Sequence, residues 1–164
     1  MTEPYWSNGL VSLYNASSQD MNFLADESVD CCVTSPPYWG LRSYAGLGAD
    51  QLGLEPTPEL YVQHLVEIFR DVRRVLKVTG TCWVNMGDSY ATGTATPSKP
   101  SKGVDVGYWQ KADRLGRSRI DGRDSGLKPK DMVGIPWRVA FALQADGWWL
   151  RSDIIWAKPN PMPE

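Results

Sequence analysis

The chain has 164 residues, of which 42% are hydrophobic, and this is enough for one domain with a sizeable core. The formal net charge of −2 excludes no class of partner, because it averages over unlike segments. No stretch approaches the ~20 apolar residues of a membrane span, and residues 1–9 lack the basic and apolar regions of a signal peptide. We therefore expect a cytoplasmic protein with no membrane partner.

The three cysteines do not resemble a metal site. Cys31 and Cys32 are adjacent in one predicted strand, where neighbouring side chains face opposite ways, and Cys82 lies in another strand. Neither a Cys-x-x-Cys pair nor a His/Cys cluster is present. We expect no metal, and reduced thiols in the core.

The first part of the chain predicts strands and a crossover helix. Residues 10–14 predict a first strand and residues 21–24 a brief helix. Residues 29–34 predict a second strand, and its near-continuous apolar character indicates cover on both faces, as in a parallel sheet. Residues 40–56 are rich in glycine and predict a mobile loop.

A long helix is then predicted from its capping residues. Thr57 is a hydroxyl N-cap and is followed by proline at the first helical position. Gly80 is expected to end the helix, and residues 81–86 to form a third strand. Apolar residues recur at helical spacing at Tyr61, Leu65, Ile68, Val72 and Leu76. The resulting strand–helix–strand unit has the right length for a parallel crossover.

The segment of residues 91–131 breaks this pattern. It holds nine Lys and Arg residues against five Asp, a local charge of +4, and has no apolar period. It predicts a long basic loop. Beyond it, residues 135–147 predict a second helix and residues 148–156 a last strand.

The chain is organised around residues 34–39, Thr-Ser-Pro-Pro-Tyr-Trp, which follow the second predicted strand. The prolines fix φ and donate no backbone hydrogen bond, so the strand must stop there. The rigid corner presents the Ser35 hydroxyl and the Pro36 carbonyl as acceptors beside the aromatic rings of Tyr38 and Trp39. Two acceptors beside a stacking surface suit the binding of a planar base by its exocyclic amino group.

A second polar group, residues 87–89 (Gly-Asp-Ser), follows the third predicted strand. Ligands of doubly wound α/β sheets bind at the carboxyl ends of the strands, so both groups are expected to face one cleft. Asp88 is predicted to bind cofactor or target there. An equally weighted alternative is that residues 87–89 form only a turn. The basic loop would overhang the cleft and hold phosphates while a base is turned out of the stack.

Residues 28–39, Ser-Val-Asp-Cys-Cys-Val-Thr-Ser-Pro-Pro-Tyr-Trp, resemble the catalytic motif of the amino-methylating DNA methyltransferases, the cytosine-N4 and adenine-N6 enzymes. The resemblance continues through residues 80–90 and resumes at residues 134–138 and 151–161. It is closest to the group in which the catalytic motif precedes the S-adenosylmethionine-binding motif. It implies an α/β fold that is part of a doubly wound, Rossmann-like sheet with helices on both faces, incomplete at the C-terminus. Residues 1–164 would form the catalytic half, with the basic insertion at about 91–131.

The resemblance also implies roles for residues. Ser35 and the Pro36 carbonyl would accept hydrogen bonds from the target amine, Pro37 completes the corner, and Tyr38 would stack on the flipped base. S-adenosylmethionine is the implied cofactor and double-stranded DNA the implied partner, in a bacterial or phage-type restriction–modification setting. The residues expected to contact cofactor are Thr34, Asp20 and Asp88. Those expected to contact DNA are Trp39, Arg42, Lys111, Arg114, Arg117, Arg119 and Arg123.

Two departures from the family pattern leave alternatives open. No Phe-x-Gly-x-Gly loop for the cofactor is present, and Ala16 and Ser17 stand where relatives often have Gly-Asp. The chain is therefore expected to be an N-terminal part that acts with another segment, associates with itself, or binds DNA without catalysis. Ser35 favours cytosine N4, with adenine N6 as the close rival and a protein glutamine or an RNA amine as distant ones.

Overall fold

The structure is a computed structural model that describes residues 3–40, 51–91 and 127–160. It is a mixed α/β arrangement with one small antiparallel and one small parallel sheet. In chain order the elements are β1 (Trp6–Ser7), β2 (Ser12–Leu13), β3 (Val29–Thr34), α1 (Pro58–Val75), β4 (Leu76–Val84) and α2 (Ile135–Ala145).

The predicted crossover is confirmed by the parallel pairing of β3 with β4. Cys32 lies opposite Cys82 and Thr34 opposite Val84, so the two strands end side by side. The intervening helix α1 begins as predicted, because the Thr57 hydroxyl accepts a hydrogen bond from the Leu60 amide at 3.2 Å.

The end of α1 differs from the prediction. Leu76 already has extended backbone, with φ −74° and ψ 137°, and begins β4 without a loop. Gly80 therefore lies inside β4 rather than ending the helix, and a Cβ there would come within 3.2 Å of the Asp30 carbonyl oxygen on β3. The Lys77 carbonyl oxygen on the same strand would be closer still, at 2.9 Å, and these backbone contacts explain the glycine better than a helix cap does.

The core lies between α1 and α2. Tyr61, Leu65, Phe69 and Val72 of α1 are buried and share one cluster with α2, whose buried residues are Ile135 and Val139. Burial of each such side chain contributes about 1.5–3 kcal/mol of transfer free energy. Ile68, which the spacing favoured, is only half-buried, and its neighbour Phe69 takes the core position.

The β3–β4 sheet is covered on one face among the described residues. Cys32, Cys82 and Val84 pack against the helical core, whereas the alternate residues Val33 and Trp83 are 78% and 51% exposed. The expectation of cover on both faces is thus wrong for this part of the chain, because both described helices lie in one cluster on the same side.

The N-terminal segment forms a hairpin instead of joining the parallel sheet. β1 and β2 pair antiparallel across a turn of residues 8–11, in which Gly9 has φ +85°. The Asn8 side-chain oxygen accepts from the amides of Leu10 and Val11 at 3.0 and 2.8 Å, which closes the turn. The strand predicted over residues 10–14 is reduced to Ser12–Leu13.

Two further predicted elements are wrong. Residues 21–24 form turns rather than a helix, and the Arg74 guanidinium binds the carbonyls of Met21 and Leu24 at 3.1 Å, so that the loop follows the side of α1. Residues 148–156 form no strand and pair with no described strand, and Trp149 is 84% exposed. No helix within the described ranges is long and apolar enough to span a membrane.

Candidate functional site

The parallel pairing brings the two predicted polar groups together at one sheet edge. Beyond the strands, the Asn85 amide donates to the Thr34 carbonyl at 2.9 Å and so extends the ladder by one bond. The Asn85 side-chain nitrogen donates to the Tyr38 hydroxyl at 3.1 Å, and the Ser89 hydroxyl donates to the Trp39 carbonyl at 2.9 Å. Residues 85–89 therefore lie directly beside the corner.

The back of the corner is held by α1 and by the loop before it. The Tyr61 hydroxyl donates to the Pro37 carbonyl at 2.8 Å, and the Trp39 indole nitrogen donates to the Glu55 carbonyl at 2.9 Å. Gly40 adds a backbone bond to the Gly53 carbonyl at 2.9 Å. Burial, together with the nearby acidic groups, raises the pKa of Tyr61 well above its usual value, so its hydroxyl keeps the proton that it donates.

The expectation that Trp39 contacts DNA is wrong. Its side chain is 4% exposed and belongs to the core cluster, so it presents no surface to DNA. Its indole N–H and its carbonyl are both bonded within the protein. The residue anchors the corner instead.

Glu55 organises the loop behind the corner. Its buried carboxylate accepts from the Gly53 amide at 2.8 Å and pairs with His64 Nδ1 at 3.0 Å, which gives the only histidine a structural partner. Gly53 has φ +94°, and a Cβ there would lie 3.1 Å from the Tyr38 carbonyl oxygen. A cleft of about 370 Å³ on the outer side of this loop is lined by Gln19, Gln51, Leu54, Glu55, Pro56, Leu60, His64, Glu67 and Ile68.

The front of the corner differs from the back. Ser35 is exposed and Pro36 half-buried. Within the described part of the chain, no hydrogen bond reaches the Ser35 hydroxyl or the Pro36 carbonyl. The two acceptors that the sequence predicted to bind an amine therefore have no hydrogen-bond donor among the described groups.

Tyr38 completes this front. Its half-buried ring lies against Gly87, where a Cβ would come within 2.8 Å of the ring carbon Cε2. Only glycine at position 87 allows this approach without displacement of the ring. The residue pattern had placed Asn85 inside the third predicted strand and Gly87 in the polar group that follows it, without a contact to Tyr38 for either.

Asp88 caps helix α2, a structural role that its position in the sequence does not indicate. Its two carboxylate oxygens accept from the amides of Gly134 and Ile135, at 3.0 and 2.9 Å, at the start of α2. One of these oxygens also accepts from the Ser89 amide at 2.8 Å. Gly134 is the N-cap residue and has no side chain, so Asp88 caps the helix from a distant part of the chain. The lack of a local capping side chain before α2 is the signal that could have indicated this.

The other residues expected to contact cofactor are not assembled into one site. Thr34 is half-buried at the end of β3, whereas Asp20 is exposed beside a cleft of about 290 Å³. The amide of Met21, the residue after Asp20, donates to Asp71 of α1 at 2.7 Å. Asp71 lies ten residues after Tyr61, which is the α1 residue that bonds to the corner, and this separation is about 15 Å along the helix. With Asp88 engaged by α2, the described residues do not fit S-adenosylmethionine as a complete binding site.

Arg42, Lys111, Arg114, Arg117, Arg119 and Arg123, expected to contact DNA, lie outside the described residues. Among the residues that are described, no three His, Cys, Asp or Glu side chains gather as metal ligands would. Cys31 is exposed rather than buried in the core, whereas Cys32 and Cys82 are half-buried. The hydrogen bond between the last two thiols lowers the pKa of Cys32 to about 7 and raises that of Cys82.

The chain is similar to curated type II methyltransferases over most of its length. Over 145 residues the chain is 50% identical to the type II methyltransferase M.SmaI of Serratia marcescens, covering 86% of the chain and 45% of the relative. Over 164 residues it is 47% identical to the type II methyltransferase M.Cfr9I of Citrobacter freundii, covering 99% of the chain and 51% of the relative. The chain thus spans about half the length of these curated relatives. No solved structure matches it.

A family model described as DNA methylase, of the N6/N4 type, matches residues 29–164. The match includes β3, the corner, the crossover to β4 and helix α2, which are the elements that form the site. The chain belongs to the N6/N4 DNA methylase family.

Proposed function

We propose that this chain forms the target-binding side of an enzyme that transfers a methyl group from S-adenosylmethionine to an exocyclic amine of a flipped DNA base. The observation that carries the proposal is the asymmetry of the corner. Ser35 and Pro36 offer two acceptors with no described partner, beside the ring of Tyr38, on a backbone held from behind. An amino group brings two N–H donors, which matches two acceptors.

The corner acts by orientation. Hydrogen bonds to Ser35 and to the Pro36 carbonyl would direct the two N–H groups toward the protein and the nitrogen lone pair toward the donor. The donor supplies an electrophilic methyl group on a sulfonium. Because an amino nitrogen is already a nucleophile, no covalent enzyme intermediate is needed, and proximity and orientation supply most of the rate. Stacking of the base on Tyr38 contributes about 1–3 kcal/mol to its binding.

The proposed target is cytosine N4, since Ser35 occupies the first position of the motif. The close rival is adenine N6. Identification of the modified nucleoside in DNA from cells that express the complete gene product would decide between them. Methyladenine alone would contradict the cytosine proposal, and label found only in RNA or protein would contradict DNA as the substrate.

The donor site and much of the sheet are proposed to involve sequence outside residues 1–164, or another chain. Two observations support this: the exposed face of β3 and β4, and the lack of an assembled donor site among described residues. We propose the doubly wound sheet as the complete fold, and DNA contacts for the basic segment of residues 91–131. A restriction–modification role is proposed from the names of the relatives.

The engagement of Asp88 by α2 also favours a second candidate, a DNA-binding part with no catalysis of its own. Calorimetric titration of S-adenosylmethionine onto the 164-residue chain distinguishes the two. Measurable heat of binding would contradict the second candidate. Absence of heat, with DNA binding retained, would support it for this length of chain.

The substitution Ser35→Ala tests the main proposal in the complete gene product. Loss of one oriented hydrogen bond is expected to lower kcat about 100-fold. The unfolding temperature should not change, because Ser35 is exposed and has no described partner. Ser12→Ala removes an exposed hydroxyl of the N-terminal hairpin, whose described partner is the Ser7 hydroxyl at 2.9 Å, and is the control for activity, which it should retain in full. Equal activity of the two variants would contradict the role of Ser35.

A further inference from the structure

Tyr38 has two constraints on its ring that the proposed function leaves unexplained. Gly87 lies against one edge of the ring, and the Asn85 amide donates to the hydroxyl at the far end, at 3.1 Å. The main chain on either side of Tyr38 is also fixed, because the Pro37 carbonyl accepts from the Tyr61 hydroxyl and the Trp39 carbonyl accepts from the Ser89 hydroxyl. The bond to the hydroxyl restrains the swing of the side chain about χ1, and the contact of Gly87 with one side of the ring limits its rotation about χ2.

Asn85 lies where its side chain can hold the Tyr38 hydroxyl in place. It is the first residue beyond β4, and its own amide bonds to Thr34, the residue before Ser35. The side chain that fixes Tyr38 is therefore anchored to the strand end that leads into the two acceptors.

The exposure of Asn85 argues against a role in stability. A hydrogen bond between exposed groups contributes little to folding, because water replaces it when it is lost. The same bond has a larger consequence for stacking, because a ring that swings freely about χ1 must be immobilised each time a base is bound.

We propose that Asn85 is a positioning residue, which holds the Tyr38 ring in the orientation needed to stack on the target base. This inference rests on the proposed function. Asn85 acts through Tyr38 and need not touch the base. Its effect should therefore depend on the Tyr38 hydroxyl and should disappear when that hydroxyl is absent.

A double-mutant cycle in the complete gene product tests this dependence. Asn85→Ala and Tyr38→Phe are each expected to lower kcat about three- to tenfold, with the KM for S-adenosylmethionine unchanged. The double variant should be no slower than the slower single variant. Asn85→Gln keeps the amide donor on an exposed side chain and is expected to restore activity to within about twofold. Asn15→Ala, another exposed asparagine, is the control for the loss of an amide.

A binding measurement without the methyl donor gives an independent readout. A duplex carries a fluorescent analogue of the target base at the site that wild-type methylation identifies. Stacking on Tyr38 should quench the flipped analogue in the wild-type complex, and Asn85→Ala should leave it brighter at equal DNA occupancy. Thermal unfolding should be the same for both proteins.

The outcomes separate the two proposals. An active wild-type protein with unchanged kcat and quenching in Asn85→Ala would overturn this inference alone. Multiplicative effects in the double variant would also overturn it, because Asn85 would then act independently of Tyr38. A complete protein that methylates no DNA amine would overturn the proposed function and this inference with it.

Discussion

The front and the back of one short corner contrast sharply in how they are bonded. At the back, the Pro37 carbonyl, the Trp39 indole and the Gly40 amide are bonded to groups of α1 or of the loop before it. At the front, Ser35 and Pro36 have no described hydrogen-bond partner. Within six residues, the groups that anchor the corner are thus separate from the groups that we propose to bind the target amine.

The physical reason lies in what proline can and cannot do. A proline ring fixes φ, but it does not fix where the corner sits relative to the rest of the fold. That position comes from contacts with other elements, and these must reach the corner without occupying its acceptors. Substitutions at the back should therefore act on folding, and substitutions at the front on the reaction.

The largest expected effect is that of Trp39→Ala. The indole is 4% exposed and bonded to the Glu55 carbonyl, so its loss leaves a cavity and an unpaired carbonyl. We expect the free energy of unfolding to fall by about 3–5 kcal/mol. Urea denaturation measures this, with Trp149→Ala at an 84% exposed site as the control, for which we expect a change within about 0.5 kcal/mol. Similar losses in the two variants would contradict an anchoring role for Trp39.

A smaller effect is expected for Asp88→Ala, which removes the cap of α2. Two amides at the start of the helix and the Ser89 amide lose their acceptor. The free energy of unfolding should fall by about 1–2 kcal/mol, the range for loss of a helix cap. Asp153→Ala, at an exposed position with no described side-chain bond, is the control.

The same variant distinguishes the two roles considered for Asp88. A capping residue changes stability first, and affinity for S-adenosylmethionine only through the fold. Loss of affinity at unchanged stability would contradict the capping role and return Asp88 to the donor site.

Local signals in the sequence predicted much of the fold. Thr57 marked the start of α1 through a bond that spans three residues, and the apolar run of β3 marked its strand. The parallel crossover then required residues 35–39 and 85–89 to share an edge. The juxtaposition of the site could therefore be predicted without knowledge of any side-chain contact.

The remaining features depend on contacts that are distant in the sequence. Asp88 meets the start of α2 across 46 residues, and Trp39 meets Glu55 across 16 residues, and neither separation leaves a periodic signal. From the sequence alone, a tryptophan after a polar corner is equally consistent with an exposed ring and with a ring buried in the core. The hairpin did have a local signal, Gly9 after Asn8, because glycine readily takes the positive φ that a tight turn requires.

The smallest expected effect at the back of the corner is that of Tyr61→Phe. The ring remains, and only the bond to the Pro37 carbonyl is lost, so we expect about 0.5–1.5 kcal/mol of destabilisation at neutral pH. Tyr5→Phe, at an 80% exposed position, is the matched control and should change nothing measurable.

The difference in stability between the wild-type protein and Tyr61→Phe should also depend on pH and should shrink at high pH. Because burial raises the pKa of Tyr61, the unfolded chain ionises first, near pH ~10, while the folded protein keeps the proton. The wild-type protein therefore loses stability as the pH rises above about 10, and Tyr61→Phe lacks this loss. The stability advantage of wild type over the variant should be constant from pH 7 to 9 and shrink above pH ~10, as measured by urea denaturation. A difference that stays constant up to pH ~11 would show that Tyr61 is not held in its protonated form behind the corner.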